Sequence, residues 1–118
     1  MFKNVRIGEK DVPMLSMASV DLYYKNVFEE DPLVFQQKMG PGEAIGFVQR
    51  MGFIMAKYAE VKERKEMLKL SVEAYYDWME QFERSDLLLA LEEIKNVYDG
   101  QSASSAEAKK KDEGPSDN

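Results

Sequence analysis

Apolar residues recur along this chain with two different periods. Near the start, Val5 and Ile7 alternate with the polar Lys3, Asn4 and Arg6, the period of a half-buried strand. Gly8-Glu9-Lys10-Asp11 is a polar turn, and Val12 to Met17 returns as a second strand. Pro13 has no amide donor and belongs on an edge or at a strand start. From Val20 the period lengthens. Val20, Tyr23, Tyr24 and Val27 fall at i, i+3, i+4 and i+7, with Phe28 extending the stripe and Ser19 as N-cap. Glu29-Glu30-Asp31-Pro32 breaks this helix. Leu33 to Lys38 forms a short second one, ended by Gly40-Pro41-Gly42.

The most apolar segment runs from Glu43 to Glu60. Ala44, Phe47, Val48, Met51, Met55, Tyr58 and Ala59 form one stripe, while Ile45, Phe53, Ile54 and Ala56 spread onto other faces. A helix apolar nearly all round is a central, buried one. Gly46 and Gly52 weaken it intrinsically, and close approach of a neighbouring element is the expected compensation. Lys62 to Lys69 reads as charged and exposed, a frayed helix end. Ser71 caps the next helix, whose buried stripe is expected to be Val72, Tyr75, Tyr76, Met79 and Phe82, with Trp78 to one side. Leu70 and Tyr75 hold hydrophobic-staple positions. Ser85 caps a last helix, Asp86 to about Tyr98, with Leu87, Leu91, Ile94 and Tyr98 inward and Gly100 as its stop. No internal repeat is present.

Composition divides the chain. After Tyr98 no large apolar residue appears, and 101–118 is rich in Ser, Ala, Lys, Asp and Glu. Such a segment cannot repay the entropy of ordering and is expected to be disordered. The prediction is one folded domain over 1–100, with a hairpin within 2–17 and helices within about 19–99. Its class is α+β and mostly helical: an N-terminal β-hairpin packed on four or five helices.

Charge and missing residue types then narrow the chemistry. The 118 residues carry a net charge of −6, with no Cys and no His. Disulfides, thiolate metal sites, Cys nucleophiles and the usual imidazole base of a Ser or Cys triad are therefore excluded. Duplex nucleic acid repels such a chain unless its bases are segregated, and the densest basic run, Lys62 to Glu66, is interleaved with acids. No apolar run reaches the roughly 18 residues needed to span a bilayer, and the first residues contain no apolar leader segment. No Walker or dinucleotide glycine signature occurs. Gly40-Pro41-Gly42 ahead of a helix reads as a turn rather than an anion site. Glu29, Glu30 and Asp31, and Glu92 with Glu93, read as solvated charge rather than an acid–base pair. The EF-hand pattern is absent. No metal site, cofactor or catalytic residue is expected.

Two features remain. Trp78 with Tyr75, Tyr76 and Phe82 is the richest aromatic cluster, and its polar neighbours are Asp77, Glu80 and Glu83. It is either a core cluster or an acid-rimmed apolar groove for a partner helix. The eight Met residues are many for this length. They either fill core gaps or supply an adaptable contact surface.

The order of pieces carries a resemblance. Ile7-Gly8-Glu9-Lys10-Asp11-Val12-Pro13 is followed by Tyr24-Lys25-Asn26-Val27-Phe28 and Asp31-Pro32-Leu33. Phe53-Ile54-Met55-Ala56-Lys57-Tyr58-Ala59, Trp78-Met79-Glu80-Gln81-Phe82 and Ala90 to Gly100 come next, and a Ser/Ala/Lys tail closes the chain. Over essentially its whole length the chain resembles the tail assembly chaperones of long-tailed phages and prophages of Gram-positive bacteria. The resemblance implies a non-enzymatic protein of the host bacterial cytoplasm, absent from the mature virion. It binds the tape measure protein, keeps it soluble and promotes tail tube assembly. It also implies a longer form, made by a −1 frameshift, that contacts the tail tube protein. Neither nucleic acid nor membrane is an expected partner, and self-association stays open.

The expected tape measure contact region is Tyr75, Tyr76, Trp78 and Met79 together with the Met51 and Met55 end of the central helix. Ala108-Lys109-Lys110-Lys111 can be encoded by a slippery adenine run, which would make the tail a linker to the appended domain. The competing readings are a small helical DNA-binding regulator, an enzyme using carboxylates or Tyr, and another helical protein–protein adaptor. Against the first, the Ser85 helix bears Asp86, Glu92 and Glu93 against Lys95.

Overall fold

The computed structural model of the chain describes residues 1–100. The expected disordered tail, with Ala108, Lys109, Lys110 and Lys111, lies outside the described residues. A hairpin of β1 (Phe2–Ile7) and β2 (Lys10–Leu15) opens the fold. Helices α1 (Val20–Phe28), α2 (Pro32–Lys38) and α3 (Pro41–Glu60) follow, then a 3₁₀ helix Arg64–Lys69, α4 (Val72–Met79) and α5 (Arg84–Tyr98). The architecture is the expected mostly helical α+β class, with the hairpin laid across the helices.

β1 pairs antiparallel with β2 from Ile7 opposite Lys10 to Phe2 opposite Leu15. The turn takes only Gly8 and Glu9, so β2 begins and ends two residues earlier than the pattern predicts. Gly8 has φ +63°, the positive angle a type II′ turn needs at its first central position. A Cβ there would also lie 2.5 Å from the Asp86 carboxylate, because the first turn of α5 abuts the hairpin tip. Val5, Ile7 and Met14 face inward and are buried. Under them lies α3, which packs against β2, α5 and α1, while α5 supports β1.

Asp31 caps α2, its carboxylate accepting from Leu33 N (2.9 Å) and Val34 N (3.3 Å), and Pro32 holds the first turn. Helix α3 starts at Pro41, inside the stretch expected to be only a turn. Gly40 N–H donates to Glu43 Oε1 at 2.8 Å, which stops the preceding chain and opens the helix. Ser71 caps α4, accepting from Ala74 N at 3.2 Å.

Other local expectations need correction. Ser19 precedes α1 but makes no capping bond; its hydroxyl pairs with the Tyr58 hydroxyl at 3.1 Å. Ser85 lies inside α5, whose N-cap position is Glu83. The segment 62–69 is not simply exposed. The chain turns at Val61, and the 3₁₀ helix packs on α1 and α3 with Met67 wholly buried. Gly52 does meet a neighbour: a Cβ there would stand 3.1 Å from Ile94 Cγ2 and 3.6 Å from Trp78 Cη2. At Gly46 the space is taken instead by Arg50 of the same helix, with Nη1 at 3.0 Å.

Candidate interaction site

The phase of α4 decides which predicted contact residues are available. Tyr75 and Trp78 face inward, Met79 is half-buried, and Val72 and Tyr76 are exposed at 41% and 61%. The expected stripe is thus rotated: Trp78 belongs to it, and Val72 and Tyr76 do not. Burying the indole removes more apolar surface from water than burying Val72. Trp78 packs on Phe53 (6.0 Å between centroids) and Phe82 (5.1 Å), and Tyr75 packs on Phe28 (5.2 Å) and Phe53 (5.5 Å). Met51 and Met55 are also core residues, 1% and 0% exposed. As folded, Met51, Met55, Tyr75 and Trp78 present no contact surface. Of the six expected contact residues, Tyr76 alone is fully outside.

The outer face of α4 is short and one-signed. Val72 and Tyr76 are four residues apart and share a stripe, flanked by exposed Glu73, Asp77 and Glu80. No base occurs between residues 70 and 83.

Elsewhere apolar side chains border clefts. Met17 and Leu33 line one of about 420 Å³ between the end of β2, α1, α2 and the end of α5. Its wall is fixed by Tyr98, whose hydroxyl donates to Asp21 Oδ1 at 2.7 Å, and by Ser16 Oγ donating to the Tyr98 carbonyl at 3.2 Å. Ile45, Val48 and Leu91 line a smaller, apolar notch of about 240 Å³ between α3 and α5.

No family model, no curated protein and no solved structure matches this chain.

One polar constellation escapes the sequence pattern. Arg50, on α3, sends Nε to the Tyr24 hydroxyl (2.9 Å) and Nη2 to Glu30 Oε1 (3.1 Å), and the Tyr24 hydroxyl donates to the same carboxylate oxygen. Three rings surround the guanidinium, Tyr24, Phe28 and Phe35, at 5.5–5.9 Å. The group clamps the α1–α2 corner to α3 beside a cleft of about 450 Å³. Burial and the hydrogen bond to Glu30 push the Tyr24 hydroxyl well above its ordinary range. For Arg50, burial works against the charge, but the Tyr24 bond and the Glu30 charge outweigh it and raise its pKa. Tyr98 is raised by burial and by its bond to Asp21. Tyr75 is raised by burial, against the nearby Arg50 charge.

The signal available in the sequence was a lone Arg four residues after a Gly within an apolar helix. Its purpose depends on Tyr24, Glu30 and Phe35, which periodicity cannot bring together. The clamp holds protons rather than releasing them, which suits positioning. Among the described residues no group of three Asp or Glu side chains is arranged to hold a metal ion. No helix among them is long and apolar enough to cross a membrane.

Proposed function

We infer that this chain is a tail assembly chaperone that binds apolar helical stretches of a tape measure protein, keeps them soluble and promotes tube assembly around them. The role is non-enzymatic and belongs to the host cytoplasm during morphogenesis. The supporting observation is the apolar side chains left outside a well-filled core. Leu22, Leu33, Leu68, Tyr76 and Leu89 are each more than half exposed on helices. Exposed side chains of this kind would give a holder of helices its apolar contacts. The net charge of −6 keeps such a surface from aggregating while it waits.

Co-expression with a tape measure protein of a long-tailed phage tests the reading. The chain should move that protein from the pellet into the soluble fraction, and the Tyr76→Ala, Leu33→Ser double variant should do so less well at equal abundance. Equal insolubility with and without the chain refutes the reading. The appended domain of a longer form is tested by the encoding nucleotides of Ala108 to Lys111, where absence of a slippery heptamer excludes a shift at that place.

A further inference from the structure

The hairpin has two outer edges, and they are not alike. Its ladder runs on past β1 and β2 to a reciprocal pair, Met1 N to Ser16 O (2.7 Å) and Ser16 N to Met1 O (2.8 Å). Hydrogen-bonded and open pairs alternate in an antiparallel ladder. The backbone groups of Lys3, Val5 and Ile7 therefore turn toward β2, and those of Phe2, Asn4 and Arg6 turn outward. On β2 the outward residues are Asp11, Pro13 and Leu15. Pro13 offers no amide hydrogen, so no continuous ladder can form along that edge.

The β1 edge keeps all three outward donors. Among the described residues, no backbone hydrogen bond outside the hairpin uses Phe2, Asn4 or Arg6. Charged side chains ordinarily guard such an edge. Here both are engaged by acids of the same chain: Lys3 with Glu93 at 2.9 Å and Arg6 with Asp11 at 3.1 Å.

We propose that β1 is a self-complementary edge through which two copies of this chain pair antiparallel, joining their hairpins into one four-stranded sheet with its two-fold axis at Asn4. In that register Asn4 faces Asn4 of the second copy, and Phe2 faces Arg6. Every outward amide and carbonyl of the three residues then finds a partner. The exposed Phe2 ring, 58% accessible in the single chain, receives a guanidinium across the seam. Moving the axis to Lys3 or Val5 leaves outward groups unpaired at one end. The occupant is a second copy because the edge is its own complement about Asn4, aromatic at one end and cationic at the other. Pro13 caps the far edges, so pairing closes at a dimer and does not grow into a fibre.

The pairing does not depend on the chaperone reading, and its test needs no partner protein. The chain has no cysteine, so Asn4→Cys supplies a single thiol. Facing residues of a hydrogen-bonded pair have Cα atoms about 5.5 Å apart, within disulfide reach. Under mild oxidation the full-length Asn4→Cys chain should cross-link to twice the 13.6 kDa of one chain. Arg6→Cys should not, because its two copies would lie roughly 13 Å apart at about 3.3 Å per residue. In sedimentation the wild type should be dimeric. Asn4→Pro, which removes an outward N–H and none of the hairpin's own donors, should weaken association at least tenfold, and Asn4→Thr should keep it. A monomeric wild type at its highest soluble concentration overturns the proposal. So does cross-linking of Arg6→Cys as fast as Asn4→Cys, a comparison that stands even if Asn4→Pro fails to fold.

Discussion

Gly52→Ala is the sharpest probe of how α3 is seated. Two effects oppose each other. Alanine in place of glycine inside a helix gains about 1 kcal/mol from propensity. The new methyl would lie 3.1 Å from Ile94 Cγ2 and 3.5 Å from Ile94 Cδ1. Carbon atoms prefer about 3.5–4.0 Å, so α5 must give by several tenths of an ångström. Ile94 is 0% exposed and, being β-branched, is stiff at χ1. Overpacking of this kind costs about 1–3 kcal/mol. The net expectation is a loss of about 1 kcal/mol, and for a domain near 100 residues each kcal/mol moves Tm by about 4–8 °C. Urea unfolding followed by the fluorescence of the single Trp, buried Trp78, and by circular dichroism measures it, with coincident curves as the two-state check. The Ile94→Ala background isolates the contact. That change alone costs about 2–5 kcal/mol, but with the side chain gone Gly52→Ala should be neutral or stabilising by up to about 1 kcal/mol. A stabilising effect of Gly52→Ala in the wild-type chain, or an equal cost with Ile94 removed, refutes the close Gly52–Ile94 contact as the cause.

Three further expectations rest on separate features. Tyr24, Tyr75 and Tyr98 all have folded pKa values above the usual 10.0, so above about pH 10 the unfolded chain releases protons the folded chain keeps. Stability should be full below that pH and decline as it rises, and chemical denaturation across the alkaline range should show a shallower decline for Tyr24→Phe; an unchanged slope in that variant refutes the assignment. Ser71→Ala removes a real cap and should cost about 1 kcal/mol, while Ser85→Ala should stay within about 0.5 kcal/mol, and reversal of that order in thermal melts would contradict the placement of α5. Met67→Ala should cost about 2–5 kcal/mol despite its charged surroundings, and a loss below about 0.5 kcal/mol in urea unfolding would mean the 3₁₀ helix is not packed as described.

The type and rough extent of the strands and α-helices were legible, from a period of two in the hairpin, a period of 3.6 in α1 and the long apolar run of α3. Phase was not. In α4 six apolar residues in eight leave two possible inward faces, and only the ring network of Phe28, Phe53 and Phe82 selects the one with Trp78. Met67 was hidden by its neighbours, since one apolar residue among Lys, Arg and Glu has no period at all. The Arg50 clamp was hidden for another reason: its parts come from three elements and their meeting is purely tertiary. The predicted contact region suffered most, because the aromatic and Met richness that marks a surface for partners also marks a core, and here most of it went to the core.

That core has a chemical consequence of its own. Met14, Met51, Met55 and Met67 sit at 1% exposure or less, while Met17 is 48% exposed. With no thiol in the chain, thioethers are the first groups an oxidant meets. Peroxide reaches Met17 in the folded molecule, but the four inner sulfurs become sulfoxides only when the structure opens around them. Each inner sulfoxide is also polar and chiral, and hinders reclosing over it. The order in which the methionines oxidise is thus a built-in record of how often, and where, this small fold comes apart.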